Sequence, residues 1–316
     1  MTRPVVVGID DIEHSARAVA AGAREARLRG APLWLAHAYH WIPPVVAGVM
    51  PGGDTPEGAV RDAATALLAQ AVARTHAEFP DLDIHDYAMS GHPGPCLADL
   101  AQDAALLVVG GRGRGGFTGL LLGSTALSTV AHTRCPVLVV RGGPDTETGT
   151  ETGTETEIDI ETEAPSDPPA TTNRVLVGAD VLPPATGPDV ISFAFEEAAL
   201  HASDLRAVHA WEDPGYLYPV AIGGYPSVTL DQLNAECQRR LDALLDPWRE
   251  KYPDTYVETQ VLAGPPSKLL VDSTRTADLL VIGALRHPSG KGVHLGGLGH
   301  ALLHHSQCPV VIVPEG

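Results

Sequence analysis

Cysteine is scarce in this chain and never clustered: Cys96, Cys135, Cys237 and Cys308 stand far apart with no CxxC spacing. That pattern excludes a zinc knuckle and a disulfide framework, and predicts reduced, mostly buried thiols. Long apolar runs are also missing. Hydrophobic residues make up 44% of the sequence, yet none of their runs approaches the roughly 18 to 20 residues that a membrane helix needs. The opening MTRPVVVGID passes straight from a short basic stub into a β-branched run, without the longer apolar stretch and cleavage site of a secretory signal. A cytoplasmic protein with no membrane partner is expected. Positive charge is in short supply, with 21 Lys and Arg against 39 Asp and Glu, so a nucleic-acid partner would be repelled at low salt. Gly-Lys-Ser and Gly-Lys-Thr occur nowhere, which excludes a Walker A phosphate loop.

The 316 residues are enough for two domains of ordinary size. Between Gly142 and Asn173 lie nine acidic residues, no basic one and repeated Glu-Thr pairs ending in prolines. Such a segment builds no core and is expected to be an extended, self-repelling linker. Setting it aside brings out an internal repeat. VVVGID (5–10) matches VLVGAD (175–180), and LWLAHAYHW (33–41) matches LRAVHAWED (205–213), aligning His37 with His209. AALLVVGG (104–111) matches ADLLVIGA (277–284), and CPVLVV (135–140) matches CPVVIV (308–313). All four matches are collinear, at offsets of 170 to 173 residues, so the chain is a duplication. The expected layout is a first domain at 1–142, a linker at 143–173 and a second domain at 174–316.

Within each copy, Val- and Leu-rich runs without alternation are separated by segments of helical period such as His14 to Gly30, where Gly30 supplies a stop. Unalternating runs fit strands covered on both faces. The expected class is α/β: two tandem Rossmann-like domains, each a five-stranded parallel sheet flanked by helices, with the strand before Gly91 the faintest. The last strand of each copy would be an apolar edge, so CPVLVV and CPVVIV are expected to pair with each other in an intramolecular pseudo-dimer.

In such sheets ligands bind beyond the carboxyl ends of the strands, where strand order reverses. In the first copy this singles out Asp10 at the end of the first strand, Ala38 just past the second, and GGRGRGGFTGLLLGSTALSTV from Gly110 to Val130. Gly111, Gly113 and Gly116 satisfy G-x-G-x-x-G, but after a late strand and with no acid trailing, so a dinucleotide fingerprint is rejected. Read physically, Gly110 and Gly113 let backbone N–H groups approach an anion, Gly123-Ser124-Thr125 opens a helix with Ser124 or Thr125 as its cap, and Arg112 and Arg114 add positive charge. A tight turn with solvated arginines is the alternative.

At these residues the chain resembles the universal stress protein family in its tandem bacterial form. Nucleotide-binding members carry G-x2-G-x9-G-[S/T], matched here by Gly110, Gly113, Gly123 and Ser124 between LLVVG and CPVLVV. The resemblance implies adenine held between the ends of strands one and two, with Asp10 on adenosine and Ile9 and Ala38 lining the base pocket. Gly110, Arg112, Gly113, Gly123, Ser124 and Thr125 would hold ribose and phosphates, and Mg2+ or Mn2+ would ride on the phosphates. ATP is the implied ligand. Asp11-Ile12 stand where the family often has Gly-Ser, and Ala126 replaces a frequent serine. The second copy departs further: Arg286 stands in the second glycine's place, where its side chain is expected to fill the close-approach position, and Gly297 takes the hydroxyl position, while Asp180 is followed by prolines where a helix usually starts. It is expected to hold no nucleotide, although Arg286 and Lys291 could neutralise a phosphate in a changed geometry.

His37 and His40 have a metal-like spacing that nothing nearby completes, and His132 and His304-His305 precede Cys135 and Cys308 in matching turns that read as structural. The Pro- and Gly-rich stretches 41–58 and 211–227 read as flexible excursions or lids. The functional expectation is an ATP-binding stress-response regulator with slow hydrolysis at most, Asp11 being the acid to test, with an unknown regulatory protein partner and a possible homodimer. A nucleotide-free interaction module is the alternative. An ATP-dependent enzyme of the pyrophosphatase type is disfavoured, since the first strand lacks Ser-Gly-Gly.

Overall fold

The alternation of β-branched runs with Ala- and Leu-rich periodic segments produces the expected βα order twice. A computed structural model describes residues 2–40, 56–111, 123–141, 172–182, 186–212, 230–286 and 292–315. The first repeat runs β1 (Val5–Gly8), α1 (Ala16–Arg29), β2 (Leu33–Tyr39), α2 (Pro56–Glu78), β3 (Ile84–Ser90), α3 (Pro93–Leu100), β4 (Leu106–Gly110), α4 (Ser124–His132) and β5 (Val137–Val140). The second runs β6 (Arg174–Gly178), α5 (Pro188–Leu200), β7 (Asp204–Trp211), α6 (Leu230–Lys251), β8 (Val257–Ala263), α7 (Pro266–Ser273), β9 (Leu279–Arg286), β10 (Val293–His294), α8 (Gly297–His305) and β11 (Val310–Glu315). The acidic segment lies outside the described residues except for Thr172 and Asn173.

Strand order is β3-β2-β1-β4-β5-β11-β9-β6-β7-β8. Each half is therefore a five-stranded parallel sheet, and the halves join where β5 and β11 pair antiparallel, in the register Val310↔Val139, Val311↔Leu138 and Ile312↔Val137. The two apolar edges cover one another, as their sequences demand. One element was not anticipated: β10 adds a short antiparallel strand to β9, pairing Val293 with Arg286. Burial on both faces explains the unalternating runs. In β1, Val5 and Val7 pack into one core layer and Val6 into the other, and all three are fully buried. Each such side chain contributes about 1.5–3 kcal/mol relative to exposure.

Helix boundaries follow their caps. Gly30 ends α1 in a left-handed conformation (φ 58°), its amide bonding back to the last turn. The prolines after Asp180 do not abolish the corresponding helix of the second repeat. Pro188 instead opens α5 within its first turn, where a missing amide hydrogen costs nothing.

A second seam lies above the β5–β11 pair. On α1, Glu25 and Arg29 stand four residues apart; Glu197 on α5 and His201, which caps its C-terminus, do the same. The four meet across the repeats. Arg29 donates to Glu25 and to Glu197, while His201 Nε2 lies 3.0 Å from Glu25 and 3.6 Å from Glu197. Two carboxylates and two cations balance, which is what makes burial of Glu197 at 2% exposure tolerable. Hydrogen bonds donated to Glu197 and then to Glu25 push the His201 pKa up to about 9 against a desolvation that opposes it. Burial favours the neutral form of both carboxyls; in Glu25 the His201 and Arg29 contacts outweigh it and lower the pKa, whereas in the more enclosed Glu197 burial wins and raises it. Arg141 donates to the Ser306 carbonyl, and Gly292 (φ 74°) packs against the end of α4, adding two more ties between the halves.

Candidate functional site

The first repeat has the order 3-2-1-4-5, so its chain reverses direction of progression between β1 and β4. The register Val7↔Val108 carries on to set the residues just after β1 beside Val109 and Gly110. This brings Ile9, Asp10 and Gly110 to one edge, joined by Ala38 near the end of β2. Ala38 lies inside β2 and not beyond it, a small correction: β2 extends to Tyr39 because its partner β3 continues the ladder to Ser90.

The glycine-rich segment is pinned at both ends. Gly111 N–H donates to the Val140 carbonyl at 2.7 Å, and Gly123 N–H donates to the Gly111 carbonyl at 2.6 Å. The chain thus leaves β4 and returns at the same spot to begin α4. Arg112 and Gly113 lie outside the described residues. Gly123 caps α4 in an extended conformation, with no side-chain capping bond, so the expected cap by Ser124 or Thr125 is not what forms. Ser124 and Thr125 instead occupy the exposed first turn, and their amides have no acceptor within the helix. Ala126 is buried, which accounts for the lack of a hydroxyl there.

Two side chains set the shape of the β1 end. His37 Nδ1 meets the Ile9 carbonyl at 2.7 Å, and Ser15 Oγ accepts the Asp10 N–H at 3.0 Å. His37 is therefore a clasp between β2 and the end of β1. Asp11 is a turn-former: its Oδ1 accepts the Glu13 and His14 amides, each at 2.8 Å, and its Oδ2 contacts His14 Nδ1 at 2.7 Å. Burial opposes its ionisation, but the His14 and Glu13 contacts prevail and hold its pKa below the ordinary value. A recess of about 280 Å3 between α1 and α2, walled by Ile12, Ala71 and Phe79 among others, contains none of the glycine positions.

The second repeat reproduces the clasp and the hydroxyl. His209 Nδ1 meets the Ala179 carbonyl at 3.1 Å, and Thr186 Oγ1 accepts the Asp180 N–H at 2.7 Å. The same edge of this repeat holds a cavity of about 270 Å3 that includes Ala179, Asp180, His209, Ala210 and Gly283 in its wall. Its far end differs. Arg286 does not fill it, contrary to expectation, because β9 runs on through Arg286 into the β10 pairing and the side chain is exposed. The group that does fill it is Glu315, at the end of β11. Its Oε1 accepts the Gly187 N–H at 3.1 Å and occupies the space that a Cβ on Gly283 would need. Burial raises the Glu315 pKa, the Gly187 amide opposes that, and Asp189 adds to it. Continuing the last sequence match aligns Glu315 with Gly142 of the first repeat. That Gly-for-Glu difference was the available signal in the sequence, two residues beyond the end of the last match and so easily passed over.

No helix among the described residues is long and apolar enough to cross a membrane. Residues 1–141 and 171–314 each match the universal stress protein family. The chain is 28% identical to universal stress protein Rv2623 of Mycobacterium tuberculosis, over 98% of its own length and 96% of that protein. It is 29% identical to universal stress protein Rv1996 of the same organism, over 98% and 94% of the two lengths. A crystal structure of a universal stress protein from Archaeoglobus fulgidus shares the fold, with a TM-score of 0.64 at 12% identity over 99% of this chain and 98% of that one. Since the family match falls twice, once on each repeat, and omits little beyond the acidic segment between them, the chain belongs to the universal stress protein family.

Proposed function

We propose that this protein is a nucleotide-dependent stress-response regulator whose first repeat binds an adenine nucleotide of the ATP type. Ile9 and Ala38 line the base pocket, Asp10 contacts the adenosine, and Gly110, Arg112, Gly113, Gly123, Ser124 and Thr125 hold ribose and phosphates. The observation that carries this is the closure of the glycine-rich segment through Gly123 N–H to the Gly111 carbonyl, beside the β1 end at the switch point. A loop pinned at its neck and leading into an uncapped first helical turn is an anion cradle in both chemistry and place. Mg2+ or Mn2+ would be carried mainly by the phosphates, neutralising charge next to Asp10 and Asp11. Hydrolysis is slow at most, because the carboxylate oxygens of Asp11, the acid expected as the base to test, are engaged by backbone amides and His14. The domains span 1–142 and 174–316 with 143–173 as linker, and the protein acts in the cytoplasm through a regulatory protein partner.

Denaturing the purified protein and measuring released adenine nucleotide tests this directly. One equivalent per chain is expected, and none from a Gly113→Glu variant that keeps its circular dichroism. Two equivalents, or retention by the folded variant, overturns the assignment to the first repeat.

A further inference from the structure

The cavity of the second repeat keeps the adenosine end of its counterpart and replaces the anion end. Ala179, Asp180 and Ala210 stand where Ile9, Asp10 and Ala38 stand in the first repeat, and all three are part of the wall. The walls are otherwise largely aliphatic, with Val208, Ile282 and Leu302 buried around them. At about 270 Å3 the space is just below the roughly 300 to 1,000 Å3 of drug-sized sites, enough for a base and sugar and short of a triphosphate.

Two polar features say what would bind. His209 is 1% exposed, and its Nε2 has no hydrogen-bond partner among the described residues. The Ala179 carbonyl only accepts, so in the neutral ring Nδ1 carries the proton and Nε2 is left as a buried acceptor in need of a donor. Its counterpart His37 is only half-buried. At the other end Glu315 projects over Gly283 with Oε1 held by the Gly187 amide. A carboxylate in that position accepts hydrogen bonds from sugar hydroxyls and repels phosphate, the same discrimination by which an acidic residue reads a ribose in dinucleotide folds. Among the described residues that line the cavity there are two carboxylates, Asp180 and Glu315, and no Lys or Arg.

We infer that the second repeat is a separate binding site for an unphosphorylated purine nucleoside, with Glu315 accepting from the ribose and excluding phosphate, and His209 Nε2 accepting from the ligand's amine or hydroxyl. The choice of a purine rests on the nucleotide assignment of the first repeat; the exclusion of phosphate does not. The protein then senses two chemically distinct adenine compounds, one at each repeat.

Equilibrium dialysis of the full chain at pH 7 against labelled adenosine, with ATP present at saturation, tests the inference. About one adenosine per chain is expected to stay bound, with AMP about a hundredfold weaker at that site. Glu315→Gln should bring AMP to within about tenfold of adenosine, and Ala210→Leu, which fills the cavity, should remove adenosine while ATP stoichiometry is unchanged. Complete displacement of adenosine by ATP overturns a separate site. AMP binding as well as adenosine in the wild type, or an unchanged preference in Glu315→Gln, overturns the role of Glu315. Loss of ATP binding with adenosine retained would overturn the first-repeat assignment alone, so the two failures are distinguishable.

Discussion

The two repeats are alike at the end of the sheet where adenosine is proposed to sit and unlike at the end proposed to take an anion. His37 and His209 clasp equivalent carbonyls, and Ser15 and Thr186 accept equivalent amides. In the second repeat the Glu315 side chain stands over Gly283; in the sequence match the first repeat has a glycine, Gly142, at the corresponding position. On the proposed reading, backbone and strand order set where a ligand can sit, and a single side chain arriving from the neighbouring strand decides its charge. A fold thus transmits the location of a site faithfully through duplication, while its chemistry is free to change.

That comparison assumes that the repeats form one structural unit, and the largest expected effect breaks the assumption. Arg29→Met leaves Glu25 and Glu197 buried with one cation between them, and should destabilise the chain by about 3–5 kcal/mol in denaturant unfolding. Two separated transitions would show that the repeats unfold independently once the quartet is broken. A loss below 1 kcal/mol, in contrast, would show that solvent already reaches the quartet.

Next in size is a transplant. Gly142→Glu gives the first repeat the acid of the second, and nucleotide affinity there should fall about a hundredfold, equivalent to about 2.7 kcal/mol, as measured by calorimetric titration. Unchanged affinity would mean that the contrast between Gly142 and Glu315 does not set ligand charge.

The smallest effect concerns pH. His201 has a folded pKa of about 9 against an ordinary value of 6.5, so its contribution is fully present below pH 6.5 and lost as pH rises through about 9. With the ring partly open to solvent, the fall should be on the order of 1 kcal/mol. The urea midpoint should decline across that window, and His201→Gln should flatten it; a midpoint constant from pH 6.5 to 9 in the wild type would show that His201 gains nothing from its carboxylates.

The fold was legible from particular runs. Val5 to Asp10 and its match Val175 to Asp180 announced fully buried parallel strands, and the apolar CPVLVV and CPVVIV announced edges that require a partner, which they find in each other. What escaped was set by tertiary geometry. Arg286 looked like the obstruction because it replaces a motif glycine, yet strand continuation into β10 carries it away from the cavity. Glu315 looked like a terminal polar residue, and only the β9–β11 register, which runs on to Glu315, brings it over Gly283. The quartet was written as E-x-x-x-R and E-x-x-x-H on two helices, but helical spacing alone reads as a solvated ion-pair face. Their meeting depends on the β5–β11 seam, which sequence patterns predict only as a pairing and not as a register.

The antiparallel join of β5 to β11 has an evolutionary consequence. Two identical subunits meeting along such a seam would inherit every substitution in duplicate, so an acid placed over one pocket would appear over the other as well. With both halves encoded in tandem, a mutation at position 315 alters one pocket and leaves its twin untouched. Covalent fusion of the halves therefore releases the pair from enforced symmetry, and Glu315 is a difference that only such a fused chain can carry.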